Sequence, residues 1–137
     1  VTTYVDTSAF YAAADRTDRS HERAVTILSS ADDPLTSDHV VVETWLLLRN
    51  RLGRAVAERW WGAVRSGACR IEHVGEADLA VAWLIGETFA DQDFSIVDRT
   101  SFAMMQRLGV HDVVSFDDDF AIFRFGPQRR RAFDVIR

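Results

Sequence analysis

Four acids, Asp6, Glu43, Asp98 and Asp117, stand in contexts unlike those of surface carboxylates. Asp6 closes the apolar run TTYV and is followed at once by TSAFYAAA, which places it at the C-terminal end of a strand where a helix begins. Capping alone would account for it there. Glu43 has His39, Val40, Leu46 and Leu47 at helical spacings of three and four, so it is expected on a largely apolar face. A carboxylate buried on such a face needs a metal or a cation, and Arg49 or Arg51 could supply the latter. Asp98 repeats the pattern among Phe94, Ser95, Ser101 and Phe102, opening a helix expected over Asp98 to Leu108. The run Asp117-Asp118-Asp119 lies between VVSF and FAIF, so at least one of its carboxylates should point back over the strand ends, the others being solvated.

Several carboxylates brought together repel one another unless cations neutralise them. Oxygen ligands select hard divalent ions, Mg²⁺ or Mn²⁺, over zinc. All sixteen basic residues are Arg, and the absence of Lys removes Schiff-base chemistry and the P-loop. The histidines at 21, 39, 73 and 111 lack zinc-type spacing, and no G-x-S-x-G nucleophile elbow is present. A calcium loop starting at Asp91 fails because Ile96 and Phe102 stand where Gly and Glu are required. A haloacid-dehalogenase phosphatase needs an acid where Ser8 stands, and a phosphorelay receiver needs a Lys.

The elements that must position these acids can be read from periodicity and breakers. A strand runs to Asp6 and a helix follows; a second helix covers His21 to Leu28, and Pro34 to Ser37 forms a short strand. Asp38 is expected to cap a helix from His39 to about Arg51, broken at Gly53. Helices are expected over Arg54 to Arg65 and Ala77 to Phe89, with a strand in CRIEHV between them. Asp112 to Phe116 reads as a strand, and Ala132 to Ile136 can add a last one. Strands separated by helices imply an α/β sandwich with a central, mainly parallel sheet, whose ligands bind beyond the strands' carboxyl ends.

The length, 137 residues, fits one domain over 1–137 with a single core. No segment has the length of a membrane span or the layout of a signal peptide, so a cytoplasmic protein is expected. Lone Cys69 reads as a small core residue. A net charge of −5 argues against a passive nucleic-acid coat but not against an enzyme acting on one phosphodiester.

Four blocks, YVDTSAF, SDHVVVETWLLLRNR, DFSIVDRTSFAMMQRLGV and VVSFDDDF, resemble those of PIN-domain nucleases, most closely the VapC-type toxins of bacterial toxin–antitoxin pairs. The resemblance spans about residues 4 to 125, in the family's order. It implies an α/β/α sandwich with four or five parallel strands, a cleft holding Mg²⁺ or Mn²⁺, metal-binding roles for Asp6 and Asp98, and active-site roles for Glu43 and Asp117. Asp119 becomes a supplementary acid; Thr7, Ser8 and Ser95 become supporting residues. The implied reaction is hydrolysis of RNA by a metal-activated water, leaving a 5′-phosphate and a 3′-hydroxyl. The implied partners are RNA, a VapB-like antitoxin whose C-terminal segment inhibits the cleft, and a second copy in a homodimer.

Arg99, where a small residue is usual, and the basic ending FGPQRRRAFDVIR depart from the pattern and bear on substrate placement. Arg49, Arg51 and Arg54 are candidate RNA contacts, since guanidinium groups suit phosphate. The Trp60-Trp61 pair is expected to bury both rings in a broad apolar stripe, with exposure at a partner surface as the alternative. A rival reading of the whole chain is a catalytically weak PIN-like RNA-binding or interaction module.

Overall fold

The computed structural model describes residues 1–137. Five strands, β1 (Thr2–Val5), β2 (Asp33–Ser37), β3 (Arg70–Glu72), β4 (Asp112–Val114) and β5 (Asp134–Ile136), form one sheet in the order β3-β2-β1-β4-β5. Every pairing is parallel. Seven helices connect them: α1 (Thr7–Ala14) and α2 (His21–Ser30), α3 (Asp38–Leu52) and α4 (Arg54–Ala63), α5 (Glu76–Thr88) and α6 (Ile96–Leu108), and the short α7 (Asp119–Ile122).

Successive crossovers move one way from β1 through β3, then return to β4 and β5 on the other side of β1. Because such crossovers are right-handed, α1 to α4 cover one face and α5 to α7 the other. The alternation of β1 fits: the Tyr4 hydroxyl donates to Ser101 of α6, whereas Val5 lines a groove with Phe10, Leu28 and Trp60. Under α6 and α7 lies an aromatic core in which Phe102 stacks on Phe123 at 4.3 Å and meets Phe120 edge-on at 4.9 Å. Chain order reverses between β1 and β4, and beyond the carboxyl ends of that pair an open parallel sheet leaves its ligand crevice.

Three expected boundaries move. Helix α3 is capped by Ser37, whose Oγ accepts from the Val40 N–H; Asp38 is its first residue and accepts from the Val74 N–H instead, holding the loop after β3. Helix α6 begins at Ile96, with Ser95 as its cap, so Asp98 sits inside the first turn rather than opening the helix. After α4 the chain widens through Val64–Ala68 and is turned into β3 by Gly67 at φ 102°, a conformation that favours glycine. Only one of the paired tryptophans is in the core: Trp60 meets Phe10 edge-on at 5.2 Å, and Trp61 is 42% exposed. Neighbours about 100° apart on a helix exceeded the buried stripe here. Cys69 is buried, as a small core residue should be. No helix is long and apolar enough to cross a membrane.

Candidate metal centre

Asp6 is the cap of α1, and its carboxylate is nearly inaccessible, at 2% exposure. Its Oδ2 accepts from the Ser8 hydroxyl at 2.9 Å, the Ser115 hydroxyl at 3.0 Å and, at 3.5 Å, the Ser8 N–H. Ser8 and Ser115 lie 3.2 Å apart, and the Ser8 hydroxyl also accepts from the Phe116 N–H at 2.9 Å. These bonds tie the end of β1 to the end of β4 and fix the orientation of the carboxylate.

Asp98 is held by a reciprocal cap at the start of α6. Its N–H donates to Ser95 Oγ at 3.0 Å, and its Oδ2 accepts from the Ser95 N–H at 3.1 Å. The turn after β4 is held by the Asp119 N–H, which donates to Asp117 Oδ1 at 3.0 Å. One carboxylate oxygen each from Asp6, Asp98 and Asp117 come within 4.8 Å of one another. Ligands on one Mg²⁺ at 2.0–2.1 Å stand about 3–4 Å apart, so the triad needs only a slight closure to chelate one ion.

The electrostatics point the same way. Burial, and then the nearby Asp117 charge, push the Asp6 carboxyl above the usual range; burial, the Asp119 carboxyl and the Asp6 charge do the same to Asp98. Asp119 is raised as well, chiefly by burial. No guanidinium forms an ion pair with Asp6, Asp98, Asp117 or Asp119. Crowded acids without a cationic side chain, all offering hard oxygen atoms, are a donor set suited to a divalent ion.

Glu43 stands differently from its expected place. It is half-exposed rather than buried, because the face it shares also carries Leu46, 55% exposed. It is outside the triad, and neither Arg49 nor Arg51 pairs with it. Its Oε1 instead accepts from the Thr7 hydroxyl at 2.6 Å, which in turn accepts from the buried Thr44 hydroxyl at 3.3 Å. Thr7 thereby links Glu43 to the start of α1, next to Asp6.

Ser115 and Thr44 were not singled out from the sequence. The signal for Ser115 was present, since a small polar residue interrupts the apolar run VVSF at the strand end. Thr44 gave none, being one β-branched residue among many. Arg54 pairs with Glu58 on its own helix, and the Arg51 guanidinium lies over Tyr11 at 5.2 Å. Arg49 is exposed without an ion pair, but lies six residues, or about 9 Å, further along α3 than Glu43. Arg99 turns away from the cleft and lies across Gly86 of α5, donating to the Ala82 carbonyl at 3.4 Å.

The PIN domain family model matches residues 3–126. The chain belongs to the PIN-domain family. Within it, the 23S rRNA-specific endonuclease VapC20 of Mycobacterium tuberculosis is 36% identical over 126 residues, covering 89% of this chain and 94% of the relative. The crystal structure of Mycobacterium tuberculosis VapC20, described as a sarcin–ricin loop cleaving toxin, matches with a TM-score of 0.82 at 34% identity, covering 87% of this chain and 92% of that one. The fold alone is shared with a toxin–antitoxin complex from Klebsiella pneumoniae, at TM-score 0.64, 12% identity and coverages of 88% and 91%. It is also shared with FitAcB from Neisseria gonorrhoeae, at 0.64, 18%, 85% and 88%. This PIN domain is thus an endoribonuclease of the VapC toxin type, with a fully parallel five-stranded sheet where four or five strands were expected. PIN nucleases generally depend on divalent metal, which accords with the acidic triad.

Proposed function

We propose that this chain, acting as one nuclease domain over residues 1–137, uses Mg²⁺, with Mn²⁺ as a substitute, to cut the 23S rRNA of its host at the sarcin–ricin loop. The observation that carries the metal reading is the convergence of Asp6, Asp98 and Asp117 within 4.8 Å. The ribosomal substrate rests on the two matches to VapC20.

Asp6, Asp98 and Asp117 would hold the ion, with Asp119 beside Asp98 as a further acid. When bound, the ion supplies a nucleophilic water at neutral pH and offsets charge developing on the phosphate. Ser8 and Ser115 occupy Oδ2 of Asp6, which leaves Oδ1 free of protein donors and available to a cation. Glu43, held by the Thr7 hydroxyl, would accept a proton or orient water at the rim. Exposed Arg49 remains a candidate RNA contact, whereas Arg51 and Arg54 would have to give up their present partners.

The same reading makes the chain the toxin of a VapBC-type pair. A groove of about 970 Å³ along α1 to α4, lined by Phe10, Leu28, Leu52, Val56 and Trp60, is apolar enough to seat an antitoxin segment. Trp83 and Leu84 of α5, 69% and 60% exposed, offer an apolar surface for a homodimer. The compartment this function requires is the cytoplasm. A weak binding module is less favoured, because binding alone gives no reason to bring three acids together. Incubating purified chain and Mg²⁺ with ribosomes and mapping new 5′ ends tests the substrate: one dominant cut in the sarcin–ricin loop is expected, and cuts confined to transfer or messenger RNA would reassign it.

A further inference from the structure

The basic ending of the chain is bound into the acid turn. Strand β5 pairs with β4 up to Ile136 opposite Val114, and the Ser115 N–H donates to the Ile136 carbonyl at 3.3 Å. Arg137, next along, reaches the turn that carries Asp117: its Nη1 donates to the Asp117 carbonyl at 3.2 Å and to Asp118 Oδ1 at 3.0 Å. Arg23 of α2 in turn donates to the Arg137 carbonyl at 3.3 Å. The Arg137–Asp118 pair is the sole ion pair made by any acid of the 117–119 run.

We propose that Arg137 is a positioning residue of the metal centre, holding the Asp117 turn so that the Asp117 carboxylate stays with Asp6 and Asp98. This rests on the metal-centre reading above. Asp117 is carried by a turn just past β4, not by a strand or a helix, and its side chain is secured only through the Asp119 N–H. The guanidinium adds an anchor on the main chain of the same residue, and it pairs Asp118, whose charge would otherwise add to the repulsion among its neighbours. The two effects have opposite consequences for a bound cation. Removing a positive charge near the site would by itself tighten metal binding, whereas releasing the turn weakens it. The sign of the change therefore separates positioning from simple electrostatics.

The test is the affinity of the intact chain for Mn²⁺ alone, followed by electron paramagnetic resonance without RNA. Arg137→Ala should weaken binding about three- to tenfold, at or below the low end for residues that support metal ligands because the guanidinium is 41% exposed. Arg137→Lys, which keeps the charge, should recover part of the loss, and Asp118→Asn should stay within about twofold of the parent chain. If Arg137→Ala fails to fold, Arg137→Gln replaces it with the same expectation. Unchanged or tighter Mn²⁺ binding overturns the proposal. So does a loss reproduced in full by Asp118→Asn, or a rise in KM for RNA with Mn²⁺ affinity intact, which would make Arg137 a substrate contact. Failure of the parent chain itself to bind Mn²⁺ removes the metal reading beneath it, an outcome distinct from the others.

Discussion

Without metal, the protein should become less stable as the pH rises from about 5 to about 8. Burial, and then the neighbouring carboxyls, raise Asp6 and Asp98 in the folded chain, whereas unfolded aspartates titrate near ~4. The folded state then binds more protons, so this contribution is complete below the unfolded value and is lost as the pH climbs through the raised one. Each unit of difference costs about 1.4 kcal/mol, and with the folded carboxyls pushed up to about 7 and about 8, even one unit apiece, a lower bound, gives about 3 kcal/mol. For a chain of this length that lowers Tm by at least about 10 °C. Asp33, Asp38 and Asp78, all held low, ionise below this window in both states and leave the slope alone. Mg²⁺ at about a hundred times its Kd returns about 3 kcal/mol, and since it binds ionised acids, it should act more strongly at the upper pH. Thermal unfolding in EDTA and in Mg²⁺ across this range measures both effects. A Tm in EDTA that stays level or rises, with an equal Mg²⁺ increment at every pH, would refute the reasoning.

Ser115→Ala removes one donor from the buried Oδ2 of Asp6 and leaves only a hydroxyl-sized gap. Mn²⁺ affinity should fall about tenfold or more with the circular dichroism spectrum unchanged; equal affinity would show that Ser8 suffices. At Gly86 an added methyl would collide with Arg99 Nη1, the far end of a flexible side chain. Gly86→Ala should therefore displace Arg99, yet change stability by no more than about 1 kcal/mol, because alanine's better helix propensity offsets the lost contacts. Chemical denaturation decides it, and a larger loss would mean that Arg99 pins α5 to α6.

The acids at strand ends were the easiest part of the site to read, because a carboxylate that interrupts an apolar run has few structural roles. Asp6 and Asp117 are of this kind, and the sheet brings their strands side by side at the reversal of chain order. Helix α3 was harder. The neighbours of Glu43 are apolar, but the sequence does not tell which apolar residues face the core, and Leu46 turned out to face solvent. The same ambiguity misplaced Trp61. Capping was misread by one residue at α3 because Ser37 and Asp38 are both good caps, and register against β3 gave Asp38 a different partner in the Val74 N–H. The contacts of Ser115 with Asp6 and of Arg137 with Asp117 join residues over 100 and about 20 positions apart, and only the assembled sheet shows them.

The most direct test is RNA cleavage by highly purified protein as Mn²⁺ or Mg²⁺ is titrated, comparing the parent chain with Asp6→Asn, Asp98→Asn and Asp117→Asn. Each variant keeps the shape of its side chain and removes one charge from the triad. Metal-dependent cleavage by the parent, abolished by EDTA and lost in all three variants with their folds intact, is the predicted result. Cleavage that persists in the variants, or that proceeds equally in EDTA, would contradict a nuclease centred on these three carboxylates.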